Sequence, residues 1–325
     1  MARRRIYKMN QNELLQKALE TADLIAGGGE LNTEQADKFI TYLQDLSVMA
    51  KDARQIPMKS RKRDINKIGI GARASVPATE GQDPGVRQKA AFSKVTLDTA
   101  EIMTPFEITY DVFEDNIEGE NLEDSIIKLF ATQIAMDHEE LYIMGDVDHP
   151  TDTYLKLTNG WRKLAKASGH LYNHAGNGIS TDVLGKLLDI MPEKYLRDYN
   201  DLRFYVSPKF EHNYKKLLGQ RPTPAGDKFL LENAPATYAG IPLVRVPMIP
   251  SNISESIGAT AHNDLTFTIL TLRKNLITGI HRSMTLERDK NIFSRVRQYA
   301  FTSKVDCTYE ETDAVCIAEQ ISVGA

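Results

Sequence analysis

Cysteine is nearly absent from this chain, with Cys307 and Cys316 the two in 325 residues. Two such residues make neither a disulfide framework nor a four-ligand metal site, and they fit a reducing compartment. Long apolar runs are missing too. No stretch approaches the ~20 residues that a membrane helix needs, and no apolar signal segment follows the N-terminal arginines. The expectation is a soluble chain made in a cytosol, with no membrane partner.

Catalytic motifs are equally scarce. There is no Gly-x-x-x-x-Gly-Lys-Ser/Thr phosphate loop, and Gly69-x-Gly71 lacks the third glycine of a dinucleotide turn. No Gly-x-Ser-x-Gly elbow is found. His138-Glu139-Glu140 lacks the second histidine of a zinc protease motif. It reads as a polar helix face, since a metal site needs several convergent ligands. Asp146, Asp148 and Asp152 resemble part of a calcium loop without its central glycine and terminal glutamate. His170, Asn173 and His174 read as an exposed loop. No catalytic, cofactor-binding or metal-binding residue is assigned, and an enzyme is not expected.

Charge is unevenly placed. Residues 1–67 hold thirteen Lys/Arg against nine Asp/Glu, whereas the remainder holds twenty-seven against thirty-five. The basic end has two clusters, Arg3, Arg4 and Arg5 with Lys8, and Lys59, Arg61, Lys62 and Arg63 with Lys67. Such clusters can contact nucleic acid or an acidic partner, and a solvated arm is the bland alternative.

The most regular stretch is Asn121–Gly145. Asn121 is a good N-cap, and Glu123 and Asp124 place negative charge in the first turn. Leu122, Ile126, Phe130, Ile134, Leu141 and Met144 recur at helical spacing, and Gly145 sits where a C′ glycine ends a helix. At 1.5 Å per residue the rod is roughly 36 Å long, a spine for other parts to attach to.

Around it, Gln11–Gln55 carries two helical patterns separated by Gly27–Gly29. Residues 68–91 form a glycine-rich loop too long for a simple connection. Phe92–Leu97 reads as extended, and Phe106, Ile108, Tyr110 and Val112 alternate as a half-buried strand. Thr181 is expected to cap a helix, Leu202–Val206 to be a buried strand, and Ser207-Pro208 to start a helix ending near Gly219. From Leu265 onward strands dominate: Leu265–Leu270, Leu276–Ile280, Met284–Arg288, Ser294–Tyr309 and Ala314–Ile317. In the longest of these Tyr299, Phe301, Val305, Cys307 and Tyr309 share a face. The fold class is α+β.

The order of these parts resembles the tailed-bacteriophage major capsid proteins, with their Hong Kong-97-type shell fold. The stretches that carry it are Phe92-Ser-Lys-Val-Thr-Leu, Ile108–Asp115 leading to Leu122-Glu-Asp-Ser, Glu139–Gly145 followed by Asn159-Gly-Trp, Tyr205-Val-Ser-Pro-Lys-Phe, Tyr238-Ala-Gly-Ile-Pro-Leu-Val and Ser294–Tyr309. The resemblance covers residues 68–325.

It implies an N-terminal helical arm (1–67) and an extended β-hairpin loop (68–106). A peripheral domain would hold the spine helix (107–180 and 266–305), beside an axial domain (181–265 and 306–325). Gly81, Pro84, Arg87, Lys89 and Phe92 would lie on the extended loop and contact a neighbouring subunit. The chain would assemble with itself as hexamers and pentamers into an icosahedral head around double-stranded DNA, in a host bacterial cytoplasm. Scaffold, portal and decoration proteins would be further partners. Arg3–Arg5 and Lys59–Arg63 would face DNA or scaffold. Two alternatives stand beside this reading: an encapsulin-like nanocompartment shell, and an intracellular nucleic-acid-binding protein using the basic clusters.

Overall fold

Two alternating stretches near the C-terminus form a long hairpin on which half of the molecule is built. The computed structural model describes residues 47–69, 75, 91–115, 121–197, 199–220, 236–258 and 260–324. In it, β11 (Leu276–Asn291) and β12 (Val296–Tyr309) pair antiparallel along their whole length. Leu276–Ile280 and Met284–Arg288 are therefore one strand. The register shifts between Ile280 and Thr285 mark where the alternation breaks.

β4 (Ala100–Thr109) pairs with the other edge of β12, and β1 (Arg54–Pro57) runs parallel to β11, giving the order β1-β11-β12-β4. The strand expected to run through Val112 stops at Thr109, opposite Val296 where β12 begins. With no ladder left, Tyr110–Asp115 turns into a short helix, α2, whose first amide donates to the Arg295 carbonyl at 3.0 Å. Upstream, Met49–Asp52 is helical (α1), and the helical pattern drawn to Gln55 gives way to β1.

The spine helix α3 is Asn121–Met144, as expected. Ile127, Ala131, Ile134 and Ala135 pack on Ile108, Leu286, Tyr299 and Phe301. Phe106 stacks between Phe130, 4.1 Å away, and Tyr299, 4.8 Å away. The buried stripe is shifted from the expected one. Ile126 and Phe130 are half-buried, whereas Ile127, Ala131 and Ala135 are inside.

Gly145 also has a different role from the one its position suggested. It has no left-handed φ. A Cβ there would stand 2.5 Å from the Leu141 carbonyl and 2.6 Å from that of Thr158, and one on Gly160 would stand 2.7 Å from the Gly145 nitrogen. The pair lets two backbones touch, with Gly160 N–H donating to the Gly145 carbonyl at 2.8 Å. This brings α4 (Trp161–Ala167) against the helix end.

The second sheet has seven strands. Its path is β5 (Leu171–Asn173), β13 (Val315–Ser322), β10 (Thr260–Leu272), β6 (Leu202–Val206), β8 (Ile241–Arg245) and β7 (Thr237–Tyr238), with β9 (Ile253–Ile257) on β10. Alternation decides which core each residue joins. Phe204, Val206, Leu270, Cys316 and Ala318 face α5 (Thr181–Ile190) and α6 (Pro208–Gly219). Tyr205, Phe267, Ile269, Val315 and Ile317 face the spine end and Trp161. A sheet covered on both faces needs near-continuous apolar strands, which these are. Ser207 caps α6, accepting from Phe210 N–H at 3.3 Å. For α5 the cap position is Ser180, not Thr181, and its side chain makes no capping bond.

The sheets divide the chain elsewhere than the expected boundaries. The cuts at 67/68, 106/107, 265/266 and 305/306 fall inside β2 (Lys62–Gly69), β4, β10 and β12. Leu171–Asn173 and Thr266–Leu272, placed with the peripheral part, pair in the seven-stranded sheet. Period-two patterning identifies a strand but not the sheet that it joins.

Candidate assembly surfaces

Two buried polar residues sit on the spine where a polar outer face was expected. His138 and Glu139 are 8% and 3% exposed. The Glu139 carboxylate accepts from Val48 N–H and Met49 N–H, both at 2.7 Å, and so caps the start of α1. Burial raises its pKa, against these two bonds. His138 Nε2 is 3.1 Å from Ser303 Oγ, and burial pushes its pKa down to about 4. Asp52, at the other end of α1, pairs with Arg273 at 2.9 Å and accepts from Tyr205 Oη at 3.2 Å. Residues 48–57 are thus a strap fixed to the spine and to both sheets. Nothing in the local sequence signals this, because the partners lie 90 residues or more away.

Asp146 and Asp148 both bind Lys163, so a cation of the protein already occupies the partial calcium-loop pattern. His174 is buried rather than loop-exposed. It lies 3.0 Å from the Gly178 carbonyl and 3.2 Å from Tyr172 Oη. No group of metal-ligating side chains is found among the described residues.

The extended excursion begins as a two-stranded arm, β2 paired with β3 (Ala91–Asp98). Its inner face packs on the protein through Leu97 and Ile65, which cluster with Met58, Ile56 and Ile277. Its outer face carries Lys62, Asp64 and Ile68 opposite Asp98, Thr96 and Phe92. Ile68 and Phe92 pair directly, yet are 73% and 75% exposed. At the root of the arm Asp306 accepts from Asp98 N–H at 2.8 Å and Thr158 Oγ1 at 2.5 Å, and burial raises its pKa.

The basic residues are partly brought together here. Lys59, Arg61, Lys62 and Arg63 are all exposed. Arg61 and Lys62 both lie 3.0 Å from Asp98, whose pKa is lowered chiefly by the Lys62 hydrogen bond, and Arg63 donates to the Pro57 carbonyl. Arg3, Arg4, Arg5, Gly81, Pro84, Arg87 and Lys89 lie outside the described residues.

A helical spine across a long hairpin, a two-stranded arm and a second sheet with its own helices define a class. The same architecture occurs in a chain of the satellite phage P4 procapsid that includes the size determination (Sid) protein. There the TM-score is 0.59 at 16% identity, over 88% of this chain and 99% of that one. It also occurs in the capsid of a native GTA particle (0.58, 15%, 85% and 91%) and in the holo-SrpI encapsulin complex of Synechococcus elongatus PCC 7942 (0.55, 10%, 84% and 86%). The fold is that of a Hong Kong-97-type shell subunit.

No family model matches the sequence. One curated protein does. YqbE of Bacillus subtilis (strain 168), described as a prophage capsid protein, is 35% identical over 310 residues, which is 94% of this chain and 97% of that protein. The chain therefore belongs to the phage major capsid protein family, a structural component of the virion capsid that assembles with copies of itself.

Proposed function

We propose that copies of this chain form hexamers and pentamers that close into an icosahedral head around double-stranded DNA, assembled in the host bacterial cytoplasm. The observation that carries this reading is the near full-length 35% identity to a prophage capsid protein. The four-stranded sheet with α3 would be the peripheral part and the seven-stranded sheet with α5 and α6 the axial part. Arm β2–β3, with Phe92, and the residues that connect its strands, among them Gly81, Pro84, Arg87 and Lys89, would lie over a neighbour. The exposed Ile68–Phe92 pair supports this, since two large apolar side chains side by side on one face suit burial by another chain.

In this reading Arg3–Arg5 and Lys59–Arg63 face DNA or a scaffold protein, portal and decoration proteins bind the finished shell, and the chain carries no catalytic activity. Expression of the full chain followed by negative-stain electron microscopy tests it. Shells support the reading, and dispersed monomers at high concentration contradict it. Enclosed genome, as opposed to an enclosed enzyme, separates a phage head from an encapsulin-like compartment.

A further inference from the structure

Arm β2–β3 is a two-stranded sheet of its own, joined to β4 across Thr99 alone. Its root is closely tied. Besides the Asp306 bond to the Asp98 amide, Thr99 N–H and Oγ1 both donate to the Arg61 carbonyl, at 3.0 and 3.1 Å. Leu97 sits directly on β11, because a Cβ on Gly279 would stand 3.0 Å from Leu97 Cδ1 and 2.8 Å from Met58 Sδ.

Farther along, strand alternation decides what the arm rests on. Lys67 points to the protein and the next residue, Ile68, points away. Lys67 Nζ lies 3.2 Å from Glu311, and its side chain is only 15% exposed. Glu311 stands on a pinned turn. The buried Asn275 accepts from Glu311 N–H at 2.7 Å through Oδ1, and donates through Nδ2 to the Glu311 carbonyl at 2.9 Å. Its own carbonyl accepts from Glu310 N–H at 2.9 Å. Glu310 pairs with Arg54 at 3.1 Å, so of these two adjacent carboxylates it is Glu311 that meets the arm.

We infer that Lys67 and Glu311 are positioning residues for assembly: their ion pair props the arm from beneath and aims the Ile68–Phe92 pair before a neighbour arrives. From Lys62 at the root to Ile68 the strand advances six residues, roughly 20 Å. Over that length a tilt of about 10° shifts the apolar pair by about 3.5 Å, enough to spoil a packed contact. An arm held in place beforehand lowers the ordering cost of each contact, and a symmetric assembly repeats that contact in copy after copy. The inference rests on the reading that the arm lies over a neighbouring copy.

The test compares the full chain with Lys67→Glu, with Glu311→Lys and with the exchange of both. Either single variant sets like charges face to face. Particle yield should fall about fivefold or more, while the unfolding midpoint stays within about 2 °C, since a pair of this exposure does little for one subunit's stability. The exchange restores the pair with opposite polarity and should bring yield back to within about twofold. Single variants that assemble like the unmodified chain, or an exchange that restores nothing, overturn the inference. Arm direction is read separately in dissociated subunits, from the distance between nitroxide labels on Asn66→Cys and Val147→Cys. Both positions are exposed, and the native Cys307 and Cys316 are buried. A narrow distance distribution that broadens in Lys67→Glu and sharpens again in the exchange supports the positioning. A distribution that is broad from the start, or unmoved by Lys67→Glu, overturns it. This readout needs no particle, so a narrow, Lys67-dependent distance in a chain that forms no shell overturns the shell reading and leaves the arm's positioning standing.

Discussion

The two sheets of this subunit treat their apolar residues differently. In the seven-stranded sheet Phe204, Val206, Leu270 and Cys316 are entirely buried beneath α5 and α6, while Tyr205, Phe267 and Ile269 are buried on the reverse face. The four-stranded sheet is covered by the spine on one side. On its other side Met103 is 61% exposed, and Ile292 and Phe293 project from its tip. The arm repeats this pattern, with Leu97 buried inward and Ile68 and Phe92 outward. One region is finished by its own chain, and in the proposed assembly the other is completed by further copies. Damage to the first should therefore lower stability, and damage to the second should lower assembly.

The largest expected effect is in the closed region. Phe204→Ala should cost about 3–5 kcal/mol and leave little folded subunit, read by thermal unfolding. Ile134→Pro comes next. The residue is 2% exposed in mid-spine, and the substitution should cost about 3 kcal/mol or more and abolish particles. Glu139→Ala leaves two amides at the start of α1 without their acceptor. A loss of about 2–3 kcal/mol is expected, with Glu139→Gln retaining most of the stability because its carbonyl still accepts.

His138 gives a pH signature in the same part of the molecule. Its folded-state pKa is held at about 4, below the ordinary 6.5, by burial. A depressed value stabilises the fold above pH 6.5, and that contribution is lost as pH falls from 6.5 through 4. The free energy of unfolding should drop over that window by up to about 3 kcal/mol, and His138→Gln should flatten that part of the curve. The smallest stability effect belongs to the arm. Ile68→Ser with Phe92→Ser should shift unfolding by about 0.5 kcal/mol or less while sharply reducing particle yield. A stability loss as large as that of Phe204→Ala would contradict the division.

Much of the framework was legible in the sequence. The spine was readable from its periodicity, Ser207-Pro208 from capping chemistry, and the five inward residues of β12 from alternation. What was not legible depended on distant partners. Alternation through Tyr110 and Val112 predicts strand, but the partner strand ends first. Lys62–Gly69 is mostly polar and exposed, so only pairing with Ala91–Asp98 makes it a strand. Polar His138 and Glu139 belong inside because Ser303 and the Val48 and Met49 amides meet them there. Strand signals also left open which sheet Thr266–Leu272 would join. Of the candidate assembly surfaces, Phe92 was named from its place in the chain, whereas its direct pairing with Ile68 was visible only once register was known.

Negative-stain microscopy of the concentrated full-length chain carrying Ile68→Ser and Phe92→Ser, beside the unmodified chain, tests the central division most directly. The account predicts closed shells from the unmodified chain and folded but unassembled subunits from the variant. Normal shells from the variant would contradict it.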